Sequence, residues 1–360
     1  MANEVYDVNK MPEKNPLSLQ IDLKKFEKAT EDEKKQADIM SESTSFFRDG
    51  MKRLRRNPLA MMSIVVLVII IAMIIVVPSV VPYSYSDIIT VNGKRDKTAT
   101  NMSPFTYSKL EQQYIDEGGK VFPHIMGTDE LGRDYFVRVI YGTRISLVVG
   151  VFASMIVLVI GVLYGSVAGY FGGKVDLIMM RIVDVIYSLP DLLMIILLSV
   201  VLNEVINVSG NSLLGRLGTN MISLFLVFGL LYWVGMARLV RGQILTIKQN
   251  EYVLAARVSG AGSGRIIRRH ILPNCISVII ISAALQIPSA IFTESFLSFI
   301  SLGVKAPMPS LGSLANAARS GVTTYTYKLI FPAVMIALIT LAFNLLGDGL
   351  RDAFDPKLRR

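Results

Sequence analysis

Charge is missing from long stretches of this chain, and that constrains its folding more than any single motif does. No Asp, Glu, Lys or Arg lies between Arg56 and Asp87, Arg144 and Lys174, Arg216 and Arg238, His270 and Glu294, or Lys328 and Asp348. Each interval is close to or above the ~20 residues that cross a bilayer as helix. A sixth apolar run, Ile182 to Leu202, is interrupted by Asp184 and Asp191. The expected fold class is an all-α membrane protein with six transmembrane helices. A composition of 52% hydrophobic and 18% charged residues agrees with it.

Basic residues in the flanks and short loops set the orientation. With the N-terminus inside, and the seven Lys of residues 1–45 left aside, eighteen Lys and Arg fall on the cytoplasmic side and twelve on the outer side, eight of those in the long segment up to Arg144. Both termini are therefore expected in the cytoplasm, in a multi-pass protein of the cell membrane. The net charge of +9 then reflects topology and contact with anionic lipid, and nucleic acid is not an expected partner.

The expected order of segments follows. Residues 1–45, rich in Lys, Glu, Asp and Ser, read as a mostly disordered cytoplasmic tail. Residues 46–58 mix Phe46, Phe47, Met51 and Leu54 with a basic face, as an amphipathic elbow helix on the inner leaflet would. A first span over 59–82 leads to an extracytoplasmic segment, 83–143. Five further spans fill 144–350, and 351–360 is a cytoplasmic tail.

Within the second span Gly161, Gly165, Gly169 and Gly173 recur every four residues, a helix face that admits a close neighbour. In the third, Arg181 and Asp184 are spaced to pair. Asp191, beside Pro190, is an ionisable group at membrane depth and should face protein or water. It is a candidate pathway residue or a buried, hydrogen-bonded structural acid; both readings stay open. Glu294 and Asn344 are the other candidate pathway or gate residues, and for Glu294 a hydrogen-bonded helix-end role stays equally open.

The loop Glu251–Pro273, EYVLAARVSGAGSGRIIRRHILP, is built as a small folded object. Glu251 suits the positive end of a short helix, Gly260 a helix stop and Ser263 a cap for a second helix. Pro273 ends that helix or starts the next span. Ala255, Ala256 and Gly260 leave a low surface on which another protein could pack closely.

This stretch resembles the "EAA" loop of ABC-importer membrane subunits, in the pattern E-Y-V-x-A-A-R-x-x-G followed by H-I-L-P-N. The residues carried over are Glu251, Tyr252, Ala255, Ala256, Arg257, Gly260, Ile271, Leu272 and Pro273. GTDELGRD at 127–134 and YGTRISLVVG after it are similar to the C-type peptide and nickel permease subunits, and the ending LAFNLLGDGLRDAFDPKLRR matches that of the family. The acid-rich turn offers too few oxygens for calcium and reads as a structural Asp-Arg turn. After Glu294 the chain departs from the family, with Ser295-Phe296 for a small pair and Leu311-Gly312 where Trp-Gly is usual.

The resemblance covers roughly residues 45–360. It implies a type I importer permease fold and a heterodimer with a homologous B-type permease. It also implies two ABC ATPase subunits, which bind ATP and Mg, and an extracytoplasmic binding protein that delivers peptide. No cofactor is expected on this chain: Gly172-Gly173-Lys174-Val175 lacks the spacing and the Ser/Thr of a phosphate loop. Two histidines and the single Cys275 make a metal site unexpected. The alternatives are the same importer family carrying nickel, glutathione or another small solute, an ATPase-independent secondary transporter, and an intramembrane enzyme.

Overall fold

A computed structural model describes residues 46–206, 219–304 and 308–354. The expected tail 1–45, the stretch 207–218, residues 305–307 and residues 355–360 lie outside the described residues. Helix α1 (Phe46–Arg56) is followed by α2 (Pro58–Val80), which Asn57 caps by accepting from the Leu59 and Ala60 amides. A module then carries the short ribbon β1 (Thr90–Val91) and β2 (Lys94–Arg95), and α3 (Lys109–Asp116). Beyond it run α4 (Tyr135–Phe171), α5 (Gly173–Tyr187), α6 (Asp191–Val205), α7 (Thr219–Val227) and α8 (Trp233–Ile247). Then come α9 (Glu251–Val258), α10 (Ser263–Ile266), α11 (Leu272–Phe299), α12 (Leu311–Ala318) and α13 (Tyr327–Phe354).

Among the described residues, five helical runs are long and apolar enough to cross a membrane: Pro58–Val80, Tyr135–Phe171, Asn220–Ile247, Ser263–Phe299 and Tyr327–Phe354. The expected third span is not one straight helix. It is the pair α5 and α6, bent by 87°, so the count is six only if that pair is one span. Pro190 explains the break, because proline lacks the amide donor and drives the residue before it out of helical geometry.

Several expected boundaries move. Helix α4 begins at Tyr135, so the last nine positions of the 83–143 segment belong to the second span. Its 37 residues rise about 55 Å, well beyond a ~30 Å hydrocarbon core. Asp134 sets the start, accepting the Val137 amide on its Oδ1. The last helix runs on to Phe354, into the expected tail.

Helix α4 is the central post, packed chiefly on α8 and α11, while α11 also packs on α12 and α13, and α13 on α2. A Cβ on Gly161 would stand 2.5 Å from Met236 Cβ, one on Gly165 2.4 Å from the Ala237 carbonyl oxygen, and one on Gly169 3.0 Å from that of Arg241. These three glycines let α4 and α8 meet at backbone distance. Gly173 does not share that face. It follows Gly172 at a positive-φ break between α4 and α5, and no other group lies near it. The four-residue rhythm outlasts the helix that gives it meaning.

The 83–134 module sits at the Tyr135 end of α4, tied down by Tyr135 OH to the Lys328 carbonyl and Tyr327 OH to the Met102 carbonyl, both 2.6 Å. At the far end Gly50 of α1 lies against Phe354, and Leu54 and Ala60 against Gly349. Helix α1 and the end of α13 thus meet away from the module.

Candidate functional site

The Glu251–Ile271 turn lies at the end of α4 opposite the module. Lys248 Nζ donates to the Gly169 carbonyl at 2.8 Å, closing the C-terminal end of α4, and the Arg257 guanidinium stands 5.8 Å from the Tyr170 ring centroid. Helix α9 is anchored by Val253, wholly buried in a cluster with Ile244, Ile266, Ile271 and Cys275, and by Ala256, partly buried against it. Its remaining surface is open: Tyr252, Leu254, Ala255 and Arg257 are exposed, and Val258 is 89% exposed. Ser259 and Gly260 close the helix by donating to the Ala255 and Arg257 carbonyls. Gly260 has φ +81°, a conformation that costs glycine little.

The second half of the turn differs from expectation. Ser263 does not cap α10; Gly262 takes the cap position, and Ser263 is the first helical residue. Of the two readings of Pro273, the one that holds is a place in the first turn of the next helix. The π-helical residues Ile267–Ile271 carry α10 without a break into α11, with Pro273 in its first turn. The candidate span that follows the turn therefore begins at Ser263 and runs to Phe299. Ile271 is fully buried and Leu272 partly so. Both belong to the packing under the turn, whereas Glu251, Tyr252, Ala255, Arg257 and Gly260 form its exposed side, with Ala256 half-buried. Between α9 and the end of α4 lies an open hollow of about 560 Å³, bordered by Tyr170, Phe171, Lys248, Leu254 and Arg257.

The bent pair is tied to α8 by two ion pairs. Arg241 grips Asp176 with both Nε and NH2, at 2.5 and 2.6 Å. Asp184 pairs with Arg238 at 2.7 Å rather than with Arg181 three residues before it. The side chain of Asp191 lies outside the described residues. Asn344 is exposed on α13.

Glu294 faces no open space. It is 0% exposed on α11, with Ser298 Oγ donating to Oε1 at 2.7 Å and Ser146 Oγ of α4 donating to Oε2 at 2.7 Å. Ser146 Oγ in turn accepts the Leu311 amide at the start of α12. The carboxyl group thus joins three helices.

The module holds a buried group that its composition did not point to. His124, 0% exposed, lies between Asp134 Oδ2 at 2.7 Å from Nδ1 and Glu111 Oε1 at 2.9 Å from Nε2, with Tyr83 stacked on its ring. Burial alone would lower its pKa, but the bonds to Asp134 and Glu111 outweigh that and raise it to about 9. The imidazole is therefore a cation at neutral pH, balancing two buried carboxylates. Glu111 Oε2 also accepts the Ser108 amide, completing a capping box at the start of α3. Ser108 Oγ bonds Asp96, whose other oxygen accepts from Thr98. The S-x-x-E spacing was a visible signal for the cap; no local pattern announces that His124 joins it to Asp134. The rest of GTDELGRD makes the expected Asp-Arg turn, with Asp129 accepting the Leu131 and Arg133 amides and pairing with the Arg133 guanidinium at 2.7 Å.

A bundle of apolar helices around a glycine-packed post, with a folded turn at one end, defines an all-α protein with five to six candidate membrane spans. The comparisons give the family. Residues 161–360 match the binding-protein-dependent transport system inner membrane component, and residues 45–104 match the N-terminal TM domain of oligopeptide transport permease C. The chain is 44% identical over 319 residues to the dipeptide transport system permease protein DppC of Bacillus subtilis, covering 88% of each chain. It is 39% identical over 322 residues to the oligopeptide transport system permease protein OppC of the same organism, covering 89% of this chain and 93% of that one. It is also similar to the glutathione transport system permease protein GsiD of Pectobacterium atrosepticum, 39% identical over 255 residues, 71% of this chain and 78% of that one. The chain belongs to the binding-protein-dependent transport system inner membrane component family, as an OppC/DppC-like permease that spans the inner membrane several times.

Proposed function

We propose that this chain is one of two permease subunits of an ATP-driven importer for oligopeptides, with a homologous B-type permease as its partner. An extracytoplasmic binding protein delivers peptide on the side of the 83–134 module. Two ABC ATPase subunits, holding ATP and Mg, engage the exposed face of Glu251–Gly260 from the cytoplasm, where both termini also lie. Closure of the ATPase dimer pulls on this turn, and the α10–α11 helix carries the movement into the bundle without an intervening joint. A ligand shifts the inward- and outward-open states only through contacts that differ between them. The permease supplies those contacts and no bond chemistry.

The observation that carries this reading is the turn itself. Helix α9 is anchored by Val253, yet it leaves Val258 89% exposed beside Gly260, an apolar surface without a partner among the described residues. Val258→Glu and Gly260→Glu are expected to insert in the membrane normally, to lose the ATPases on purification and to abolish peptide uptake. Val258 touches too little of its own chain for misfolding to explain such a loss. Normal uptake by both variants would refute the docking role.

The 39% likeness to a glutathione permease supports a second cargo reading, a short thiol peptide. Competition between glutathione and unlabelled dipeptides for ATP-driven uptake separates the two.

A further inference from the structure

Two cations flank helix α9, and both end on the last turn of α4. Lys248 closes α8, its amide donating to the Ile244 carbonyl, and stands just before α9 begins at Glu251. Its Nζ reaches across to α4, donating to the Gly169 carbonyl at 2.8 Å, with the Tyr170 carbonyl at 3.5 Å. Arg257, in the last turn of α9, holds its guanidinium 5.8 Å from the centroid of the Tyr170 ring, within cation–π range.

The end of α4 is shaped to receive the first of these cations. The Ala168 carbonyl accepts the Gly172 amide at 3.1 Å, and the chain then leaves the helix at Gly172, with φ +67°. The carbonyls that follow Ala168 need another donor. A Cβ on Gly172 would stand 3.2 Å from Lys248 Nζ, so the glycine leaves room for the ammonium. A cation in this position also meets the negative pole of the helix.

Capping α4 asks for one donor and asks nothing of α9. Here the second cation comes from α9 itself, so the helix that presents Glu251–Gly260 is tied to α4 from both of its ends. At the opposite end of α4 stands Asp134, which His124 binds into the module, and the 37 residues between run without a break. Gly161, Gly165 and Gly169 seat the same helix on α8. Rigid elements of this kind carry coupling between distant sites.

We propose that Lys248 is a positioning residue for transport. With Arg257 on Tyr170 it clamps the docking turn to α4, so that movement of the turn enters the bundle through α4 as well as through α10–α11. This rests on the importer reading above. Without the clamp the ATPases still dock and hydrolyse ATP, but less of the movement reaches the cargo.

The test uses the complete importer in liposomes, with its ATPases and binding protein, and measures dialanine taken up per ATP hydrolysed. Lys248→Met keeps the apolar stem and removes the cation. Its ratio is expected to fall about fivefold, the low end of a coupling between two sites, while hydrolysis continues. Lys248→Arg restores a cationic donor and should bring most of the ratio back. Tyr170→Leu removes the other contact without touching the docking face, and should lower the ratio less. Wild-type ratios in both Lys248→Met and Tyr170→Leu overturn the clamp. So does a parallel fall of uptake and hydrolysis at constant ratio, or loss of the ATPases on purification, since either assigns Lys248 to the stability or docking of the turn. If Lys248→Met fails to insert, the ratio of Tyr170→Leu decides. A wild-type complex that hydrolyses ATP without taking up dialanine removes the importer reading, and the clamp with it.

Discussion

Glu111 in the module and Glu294 in the bundle are buried alike, at 1% and 0% exposure, but different chemistry satisfies them. Glu111 leans on a cation, His124, which it shares with Asp134. Glu294 is held by serine hydroxyls from its own helix and from α4. Both networks join separate elements: the first ties α3 to the cap of α4, close by in sequence, and the second ties α4, α11 and the start of α12. The contrast shows two ways to make a polar pin. A charged pin is strong and depends on its partner's protonation, whereas a hydroxyl cradle is weaker piece by piece and has no titrating partner among the groups that hold it.

The largest expected effect comes from breaking the charged pin. His124→Ala strands two carboxylates in a closed site, and losing one partner of a buried ionic group costs about 3–5 kcal/mol. Protease sensitivity of the 83–134 module in the purified complex should rise sharply, while the turn at Glu251–Gly260 stays protected. Unchanged sensitivity would mean that the network does not hold the module.

Glu294→Ala should cost less, about 1–3 kcal/mol, by leaving buried hydroxyl donors without an acceptor. Glu294→Gln keeps an acceptor, and Ser146 or Ser298 can rotate to receive its amide. Thermal unfolding should therefore place the Gln variant close to wild type and the Ala variant clearly below it. Equal losses would show that the negative charge, rather than the hydrogen bonding, is needed there.

The sharpest separation between the two networks is in pH. Folding raises the His124 pKa from the ordinary 6.5 to about 9. Its contribution is then complete below about 6.5 and is lost as pH rises through about 9. Between pH 7 and pH 10 the module should become progressively more open to protease in wild type. His124→Gln should flatten that dependence. A wild-type profile as flat as the variant's would contradict a charged imidazole.

The exposed turn was legible because its signals are local. Asn250 to Gly260 carry helix formers, an acid at the start and a glycine at the stop, and the helix forms over Glu251–Val258. Local signals misled where two geometries accept the same residues. Ser263 is a good cap by type, yet Gly262 holds that position. Gly173 matches the rhythm of Gly161, Gly165 and Gly169, but the helix has already ended at Phe171.

What the sequence determined by itself are the apolar runs and the family motifs. An uncharged stretch of ~20 residues must meet a bilayer whatever lies around it, and the motifs are read residue by residue. The tertiary structure alone decided which polar groups meet. His124 lies thirteen residues from Glu111 and ten from Asp134; Ser146 and Glu294 are 148 apart, and Tyr232 and Thr293 are 61 apart. The break at Pro190 likewise became a bend of 87° only in the folded chain. Hydrophobicity acts through a segment's own solvent transfer, whereas a hydrogen bond exists only once packing has brought donor and acceptor within about 3 Å.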